Sequence, residues 1–368
     1  MEKESSRWKD RLKYFTWSFF TLTMATGGIS NLLYNGVFTS LTTIGVVIML
    51  FNIFSYVLTW SLLITRFCYY PRLFKESFLH PTESLFVPSA MVAFETILIN
   101  ISQYGLDRTG QWLTNLMFVV FWVDIFLAIA TSVGIYVMLW TTQTFAIAEM
   151  TPIWIFPAYP MLLVGPYVGN LYPYLDPLRS ALVVVAGFTV QGIGYLVSLT
   201  VYSAFIYRLM THKLPSYNIR PGMFISIGPS AFTAEALVSM AADAQQYIYT
   251  GYMGVDSSAV AIVRLLANFV SLWFWGAAIF FFFIATCSHA AAIVGRNRMT
   301  FSMTWFSFIF PNTALISATF AIGKAFSCKP IQIIGLVWTI SLVLLYIFVC
   351  FMMVRAVKLR HILWEIKS

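Results

Sequence analysis

The amino-acid sequence predicts an all-α polytopic membrane protein, and three observations carry this prediction. First, 60% of the 368 residues are hydrophobic and only 10% are charged, whereas a soluble domain carries about 25% charged residues. Second, the chain contains ten apolar stretches of about 20 residues or more, the length that crosses a bilayer as a helix. Third, short connections join these stretches, which indicates one compact bundle. The composition therefore excludes a soluble enzyme.

The ten predicted transmembrane helices follow the apolar stretches along the chain. They cover residues 15–34, 41–65, 85–104, 112–140, 152–170, 177–207, 221–242, 259–286, 301–323 and 331–354. We expect one transmembrane domain over residues 15–356, between a cytoplasmic segment of residues 1–14 and a short cytoplasmic tail of residues 357–368. The polar, basic start of the chain is unlike a cleaved signal peptide.

The basic residues predict the orientation of the bundle. If the amino terminus is cytoplasmic, 17 of the 22 lysines and arginines fall on the cytoplasmic side and 5 on the other side. By the positive-inside rule both termini then face the cytoplasm. The net charge of +8 is explained by topology alone, so no nucleic-acid partner is expected.

Prolines separate the odd-numbered spans from the even-numbered ones, which carry none in their interiors. Spans three, five, seven and nine carry prolines in the motifs Pro88-Ser89, Phe156-Pro157 with Pro160, Gly228-Pro229-Ser230, and Phe310-Pro311-Asn312. Span one has Thr26-Gly27-Gly28 instead. A proline removes a backbone donor, and such a break is tolerated only against protein or a watery cavity. The alternation predicts five helical hairpins, with interrupted odd helices around a central pore.

Phe310 is the predicted plug of this pore. It lies about 14 Å from the start of span nine, roughly half of a ~30 Å hydrocarbon core. The residues beside the breaks are the predicted pore-lining and anion-binding groups: Thr26, Gly27, Ser89, Pro160, Pro229, Ser230, Pro311 and Asn312. Because the odd spans carry no lysine or arginine deep inside, we expect weak anion binding, which suits transport.

Several charged residues near the membrane leave two interpretations open. Arg220 and Lys324 can attract anions at the two mouths of the pore, or they can serve as anchors at the ends of helices. Glu235 and Arg264, on consecutive spans, are expected to form an ion pair; alternatively, Arg264 attracts substrate in an outer vestibule. Glu95 and Asp124 lie near the middles of spans three and four. They are either proton-coupling groups or protonated, hydrogen-bonded carboxyls that fix neighbouring helices.

Specific motifs extend over nearly the whole chain. They are Phe15-Thr16-Trp17-Ser18 with Thr23 to Gly28 in span one, Pro152 to Ile155 in span five, Arg220 to Phe224 with Gly228-Pro229 in span seven, and Trp305 to Asn312 with Ile322 to Lys324 in span nine. These motifs resemble the tellurite-resistance/dicarboxylate transporter family, which includes the plant slow-type anion channels. Within this family the chain is most similar to fungal malic-acid transport proteins.

The resemblance implies five hairpins with pseudo-fivefold symmetry, a homotrimer with one pore per subunit, and an occluding phenylalanine at Phe310. It also implies transport of C4 dicarboxylates, chiefly malate, across the plasma membrane, with protons as a candidate co-substrate. The chain departs from the fungal pattern at Glu235 and Arg264, where uncharged residues are usual.

Two other function classes are considered. An inorganic-anion channel or a sulfite efflux transporter on the same fold is the alternative. A membrane-embedded enzyme or haem protein is disfavoured, because the four histidines are predicted to lie in cytoplasmic loops or the tail. The four cysteines have no metal-ligand spacing either, so neither a metal nor a cofactor is expected.

Overall fold

The computed structural model of the chain describes residues 9–35, 42–248, 254, 258–294 and 299–364. The segments predicted over residues 1–14 and 357–368 lie partly outside these residues. All regular secondary structure in the described residues is helical. The α-helices are α1 (Phe20–Asn35), α2 (Thr42–Tyr69), α3 (Pro71–Leu79), α4 (Ser89–Gly105), α5 (Gln111–Thr142), α6 (Tyr159–Leu171), α7 (Pro177–His212), α8 (Gly228–Ala242), α9 (Ala259–Val294), α10 (Phe310–Ala325) and α11 (Lys329–Lys358).

Five shorter helices, α1, α4, α6, α8 and α10, form the inner part of the protein. Each is preceded within a few residues by a 3₁₀ segment, namely Trp17–Phe19, Ser84–Phe86, Pro152–Ala158, Arg220–Ile227 and Met303–Phe308. The five helices contact one another in a closed cycle, α1 to α4, α6, α8, α10 and back to α1. They are the α-helical parts of the odd-numbered predicted spans.

A proline recurs at the second residue of three of these helices, and this position has a simple physical cause. Pro160, Pro229 and Pro311 are each the second residue of an inner α-helix, α6, α8 and α10 respectively. The first N–H groups of a helix have no intrahelical acceptor, so proline there sacrifices no hydrogen bond. These three prolines therefore start α-helices rather than break them in the middle, and the change from 3₁₀ to α geometry precedes each one.

Span one differs from its predicted form. Helix α1 is continuous through Thr26, Gly27 and Gly28, and its 3₁₀ segment lies earlier. A Cβ atom added at Gly27 would lie 2.7 Å from the Cβ of Thr96 and 2.8 Å from the Nδ2 of Asn52. The prediction of a break at these glycines is wrong, because their lack of a side chain allows α1 to approach its neighbours closely.

The five longer helices surround the inner cycle. Helices α2, α7, α9 and α11 pack on α1, α6, α8 and α10, while α5 packs on both α4 and α6. Their outward faces are apolar and exposed, for example at Phe126 (70% exposed) and Trp273 (78% exposed). Contiguous exposed apolar surface of this kind is the surface that a bilayer covers.

Eight helical stretches are long and apolar enough to cross a membrane, which makes the chain a multi-pass membrane protein. Three of them contain inner helices and have 83% to 89% of their most apolar windows buried, whereas the five outer ones have 22% to 39% buried. The remaining inner helices, α1 and α6, have 16 and 13 residues. Neither of these two helices is among the eight stretches.

Candidate functional site

Three aromatic rings meet at the starts of the inner helices. The ring of Phe310 on α10 lies 5.5 Å from that of Phe232 on α8 and 6.3 Å from that of Tyr159 on α6, centroid to centroid. Phe310 is 3% exposed. The hydroxyl of Tyr159 donates a hydrogen bond to the carbonyl of Ile225, which fixes this ring against the 3₁₀ segment before α8. We call these three residues the aromatic cluster.

The space beside the aromatic cluster is closed. A void of about 10 Å³ lies between Phe310, Phe232 and the small residues Gly27 and Gly28 of α1. A void needs roughly 10–15 Å³ to hold one water molecule. In this state of the protein the centre of the inner cycle therefore has no room for a solute.

A much larger cavity, of about 450 Å³, lies at the carboxyl ends of three inner helices. Its walls come from α6, α8 and α10, with the first turns of α9 at one side. We call it the C-terminal cavity, and its lining residues are Gly169, Asn170, Glu235, Val238, Ser239, Ala242, Arg264, Asn268, Ser317, Phe320, Ala321, Lys324 and Ala325. This volume is in the range of small-molecule binding sites.

The C-terminal cavity lies directly above the aromatic cluster along the helices. Glu235 follows Phe232 by three residues on α8, and Ser317 follows Phe310 by seven residues on α10, so each pair shares one helix face. At 1.5 Å per residue, Glu235 lies about 4.5 Å beyond Phe232 along α8, and Ser317 lies about 10.5 Å beyond Phe310 along α10. The cavity and the aromatic cluster are thus successive layers of one assembly.

Two cations and one carboxyl line the C-terminal cavity. Arg264 and Lys324 are exposed, and Glu235 is buried. The Nη2 of Arg264 donates a hydrogen bond to the carbonyl of Ala242 at 2.6 Å, and its Nε lies 3.5 Å from that of Ala241. Arg264 therefore caps the carboxyl end of α8, where unpaired carbonyls and the helix dipole attract a cation.

The predicted ion pair between Glu235 and Arg264 is wrong. The two side chains line the same cavity, yet every nitrogen–oxygen distance between their charged groups is longer than 4.0 Å, so these two described residues form no ion pair. Glu235 lies six residues before Ala241, about 9 Å deeper along α8. Because the arginine binds the carbonyls at the end of the helix, it stays at the rim of the cavity.

Two buried polar atoms in the C-terminal cavity lack a hydrogen-bond partner in the protein. They are the Oε2 of Glu235 and the Oγ of Ser317. Two other polar side chains of this cavity are partly satisfied, since Asn170 donates to the carbonyl of Pro166 at 2.8 Å and Ser239 donates to that of Ala236 at 3.1 Å. Buried polar groups are seldom left unpaired, so Glu235 and Ser317 are the groups that a ligand can satisfy.

Three of the four polar side chains expected beside the pore make hydrogen bonds within the fold. The hydroxyl of Thr26 lies 2.8 Å from that of Tyr346 on the outer helix α11. Ser89 donates to the carbonyl of Trp17 at 3.0 Å. The Nδ2 of Asn312 donates to the carbonyl of Phe308, three residues before Pro311, at 2.8 Å. Ser230 is fully buried, and its Oγ has no hydrogen-bond partner in the protein. None of these four lines the C-terminal cavity.

Arg220 lies at the opposite end of the inner helices and is engaged in the fold. Its Nε and Nη2 donate to the carbonyl of Pro215 at 3.1 and 2.9 Å, and its Nη1 donates to that of Ser288 at 3.0 Å. The guanidinium also lies 4.2 Å from the centre of the Tyr217 ring. These contacts make Arg220 an anchor that joins the 3₁₀ segment before α8 to α9.

Glu95 on α4 and Asp124 on α5 are fully buried, and their four carboxyl oxygens have no hydrogen-bond partner in the protein. They line neither the C-terminal cavity nor the void at Phe310. The prediction that His289 lies in a loop is wrong, because His289 is buried within α9 against Phe224 and Phe308. No group of three metal-ligating side chains occurs in the part of the chain that the structure describes.

Comparison with known proteins identifies the family. A family model described as "Voltage-dependent anion channel" matches residues 14–354, nearly the whole chain. The chain belongs to this family. This result confirms the resemblance carried by the motifs of spans one, five, seven and nine.

The chain is also similar to proteins named as malic acid transport proteins and as sulfite efflux pumps. A malic acid transport protein of Schizosaccharomyces pombe is 29% identical over 94% of this chain and 79% of its own length. A putative malic acid transport protein of the same organism is 30% identical over 98% of this chain and 83% of its own length. A sulfite efflux pump of Trichophyton rubrum is 23% identical over 90% and 88% of the two chains.

Proposed function

We propose that this protein transports C4-dicarboxylate anions, malate and related acids, across the plasma membrane. Two relatives named as malic acid transport proteins support the substrate class. The observation that carries the proposal is the C-terminal cavity, in which Arg264 and Lys324 stand at the rim of a space that leads to the aromatic cluster. A cavity lined by cations raises the local concentration of anions.

In this proposal the anion passes through the middle of the five inner helices. It enters or leaves at the C-terminal cavity and crosses the layer of the aromatic cluster when the Phe310 ring moves aside. Lys324 and Phe310 lie fourteen residues apart on α10, which is about 21 Å along the helix. Gly27, Pro160, Pro229 and Pro311 belong to the proposed lining at or below the aromatic cluster.

The proposed architecture has ten transmembrane helices as five hairpins. It adds α1 and α6, each extended by its 3₁₀ segment, to the eight stretches that are long and apolar enough to cross a membrane. Both termini are placed in the cytoplasm on the basis of the 17 basic residues on that side against 5 on the other. The C-terminal cavity then faces the outside. A homotrimer with one pore per subunit completes the proposal.

An inorganic-anion pathway, such as sulfite efflux, is the second candidate. The sulfite efflux pumps among the relatives support it, although their identity to this chain is lower than that of the malic acid transport proteins. A small inorganic anion and a dicarboxylate would both be attracted by Arg264 and Lys324. Direct measurement of fluxes discriminates between the two candidates.

Uptake of labelled malate into proteoliposomes tests the proposal. The initial rate is measured with and without a proton gradient, and the flux of chloride and of sulfite is measured in the same vesicles. Saturable malate uptake supports dicarboxylate transport, and acceleration by an inward proton gradient supports coupling to protons. Exclusion of malate together with large chloride or sulfite flux would assign the protein to the inorganic-anion branch.

A further inference from the structure

We infer that Glu235 and Ser317 form a subsite for a hydroxyl group of the substrate, so that the C-terminal cavity prefers 2-hydroxy dicarboxylates over dicarboxylates without a hydroxyl. This inference rests on the proposed function and adds a specificity to it. Both side chains are more than nine-tenths buried and line the same cavity as the two cations.

The two unpartnered atoms are complementary to an alcohol. A hydroxyl group offers one hydrogen to donate and lone pairs that accept. The Oε2 of Glu235 can accept that hydrogen, and the Oγ–H of Ser317 can donate to the hydroxyl oxygen, because neither atom has a partner in the protein. Glu235 has an acceptor oxygen whether its carboxyl is ionised or protonated. An alcohol therefore satisfies both buried groups at once.

The depth of the two groups fits a substrate that also reaches the cations. Glu235 and Ser317 hold equivalent positions on α8 and α10, because each lies six residues, about 9 Å along the axis, after the proline that is the second residue of its helix. Lys324 lies two helical turns beyond Ser317 on the same face of α10, at the rim. A dicarboxylate held at the rim by Arg264 and Lys324 thus directs its carbon chain, and any hydroxyl on it, towards Glu235 and Ser317.

A substrate without a hydroxyl leaves these groups unpaired. Sites built to hydrogen-bond a substrate hydroxyl discriminate strongly against analogues that lack it, because the desolvated protein groups then have no partner. Succinate is malate without the hydroxyl, so the pair isolates this contribution. We expect L-malate to bind about 10-fold to 100-fold more tightly than succinate.

The test compares the dissociation constants of L-malate and succinate by isothermal titration calorimetry on the full chain in lipid nanodiscs. Glu235→Leu removes the acceptor at similar volume and should reduce the malate-to-succinate preference to near one. Glu235→Gln keeps an acceptor oxygen and should retain most of the preference. Ser317→Ala should lower it several-fold, whereas the matched control Ser239→Ala should not, because Ser239 already donates to the carbonyl of Ala236.

Equal affinity of the wild-type protein for the two acids overturns the inference, and so does an unchanged preference in Glu235→Leu. If Glu235→Leu does not fold, the wild-type preference and the contrast between Ser317→Ala and Ser239→Ala decide. Transport is measured separately in proteoliposomes. Selective binding of malate without any flux would uphold the inference and refute the proposed function. Flux of both acids, bound with equal affinity, would support the proposed function and refute the inference.

Discussion

The substitution Phe310→Ala tests the assignment of Phe310 as the plug of the pathway. The Phe310 ring is held by two aromatic neighbours, Phe232 at 5.5 Å and Tyr159 at 6.3 Å. Each aromatic pair contributes about 0.5–1.5 kcal/mol beyond simple burial. The ring must lose both contacts to open the centre of the inner helices, so the closed state is favoured by about 1–3 kcal/mol from this source. Removing the ring should raise the passive anion flux by roughly 5-fold to 150-fold.

The assay is the initial rate of labelled malate entry into proteoliposomes that contain equal amounts of folded protein. Phe308→Ala is the matched control, because Phe308 packs on Phe224, His289 and Trp305 rather than in the aromatic cluster. The control should leave the passive flux near the wild-type value. A Phe310→Ala protein that folds and shows wild-type flux would refute the assignment of Phe310 as the plug.

Three further predictions concern the rim, the packing and the stability of the bundle. Lys324→Gln should raise the KM for malate about 2-fold to 10-fold, with a smaller effect at high salt, because a rim cation acts mainly through long-range attraction. Gly27→Ala should destabilise the fold by about 1–3 kcal/mol through overpacking, and the additional change Thr96→Gly should restore part of the loss in a thermal melt. Glu83→Ala should lower the thermal midpoint strongly, since it leaves the buried Arg66 without its bidentate partner at 2.5 and 3.3 Å, a loss of about 3–5 kcal/mol.

Each of these three predictions has its own contradicting result. For the rim, Lys329→Gln is the control because Lys329 does not line the C-terminal cavity, and an equal rise in KM for both variants would contradict a local role of Lys324. For the packing, a Gly27→Ala protein that melts at the wild-type temperature would contradict the predicted overpacking. For the buried ion pair, the control is Asp10→Ala, which removes an exposed pair. A Glu83→Ala protein as stable as this control would contradict the predicted loss.

Much of the fold could be predicted because it follows from periodic features of one chain. Hydrophobic stretches set the helices, and the alternation of proline-containing and proline-free stretches separated inner from outer helices. Pro160, Pro229 and Pro311 do occupy equivalent positions, each as the second residue of an inner helix. The sequence could not distinguish a proline that starts a helix from one that breaks it, because 3₁₀ and α segments have the same apolar composition.

The C-terminal cavity was only partly predictable. Arg264 and Lys324 stood out in the sequence as rare cations, but Ser317 did not, because serine is common in membrane helices. Its role emerges from its position seven residues after Phe310, on the same helix face. The pairing of Glu235 with Arg264 failed because the sequence does not show that the carbonyls of Ala241 and Ala242 compete for the guanidinium.

Accessibility of the C-terminal cavity during transport tests the central claim most directly. The substitution Ser239→Cys, made in a chain whose four native cysteines are replaced, places a thiol in the wall of this cavity. A membrane-impermeant thiol reagent should then block labelled malate uptake, and excess malate should slow the block. Complete modification of the thiol without any effect on malate uptake would contradict a pathway through this cavity.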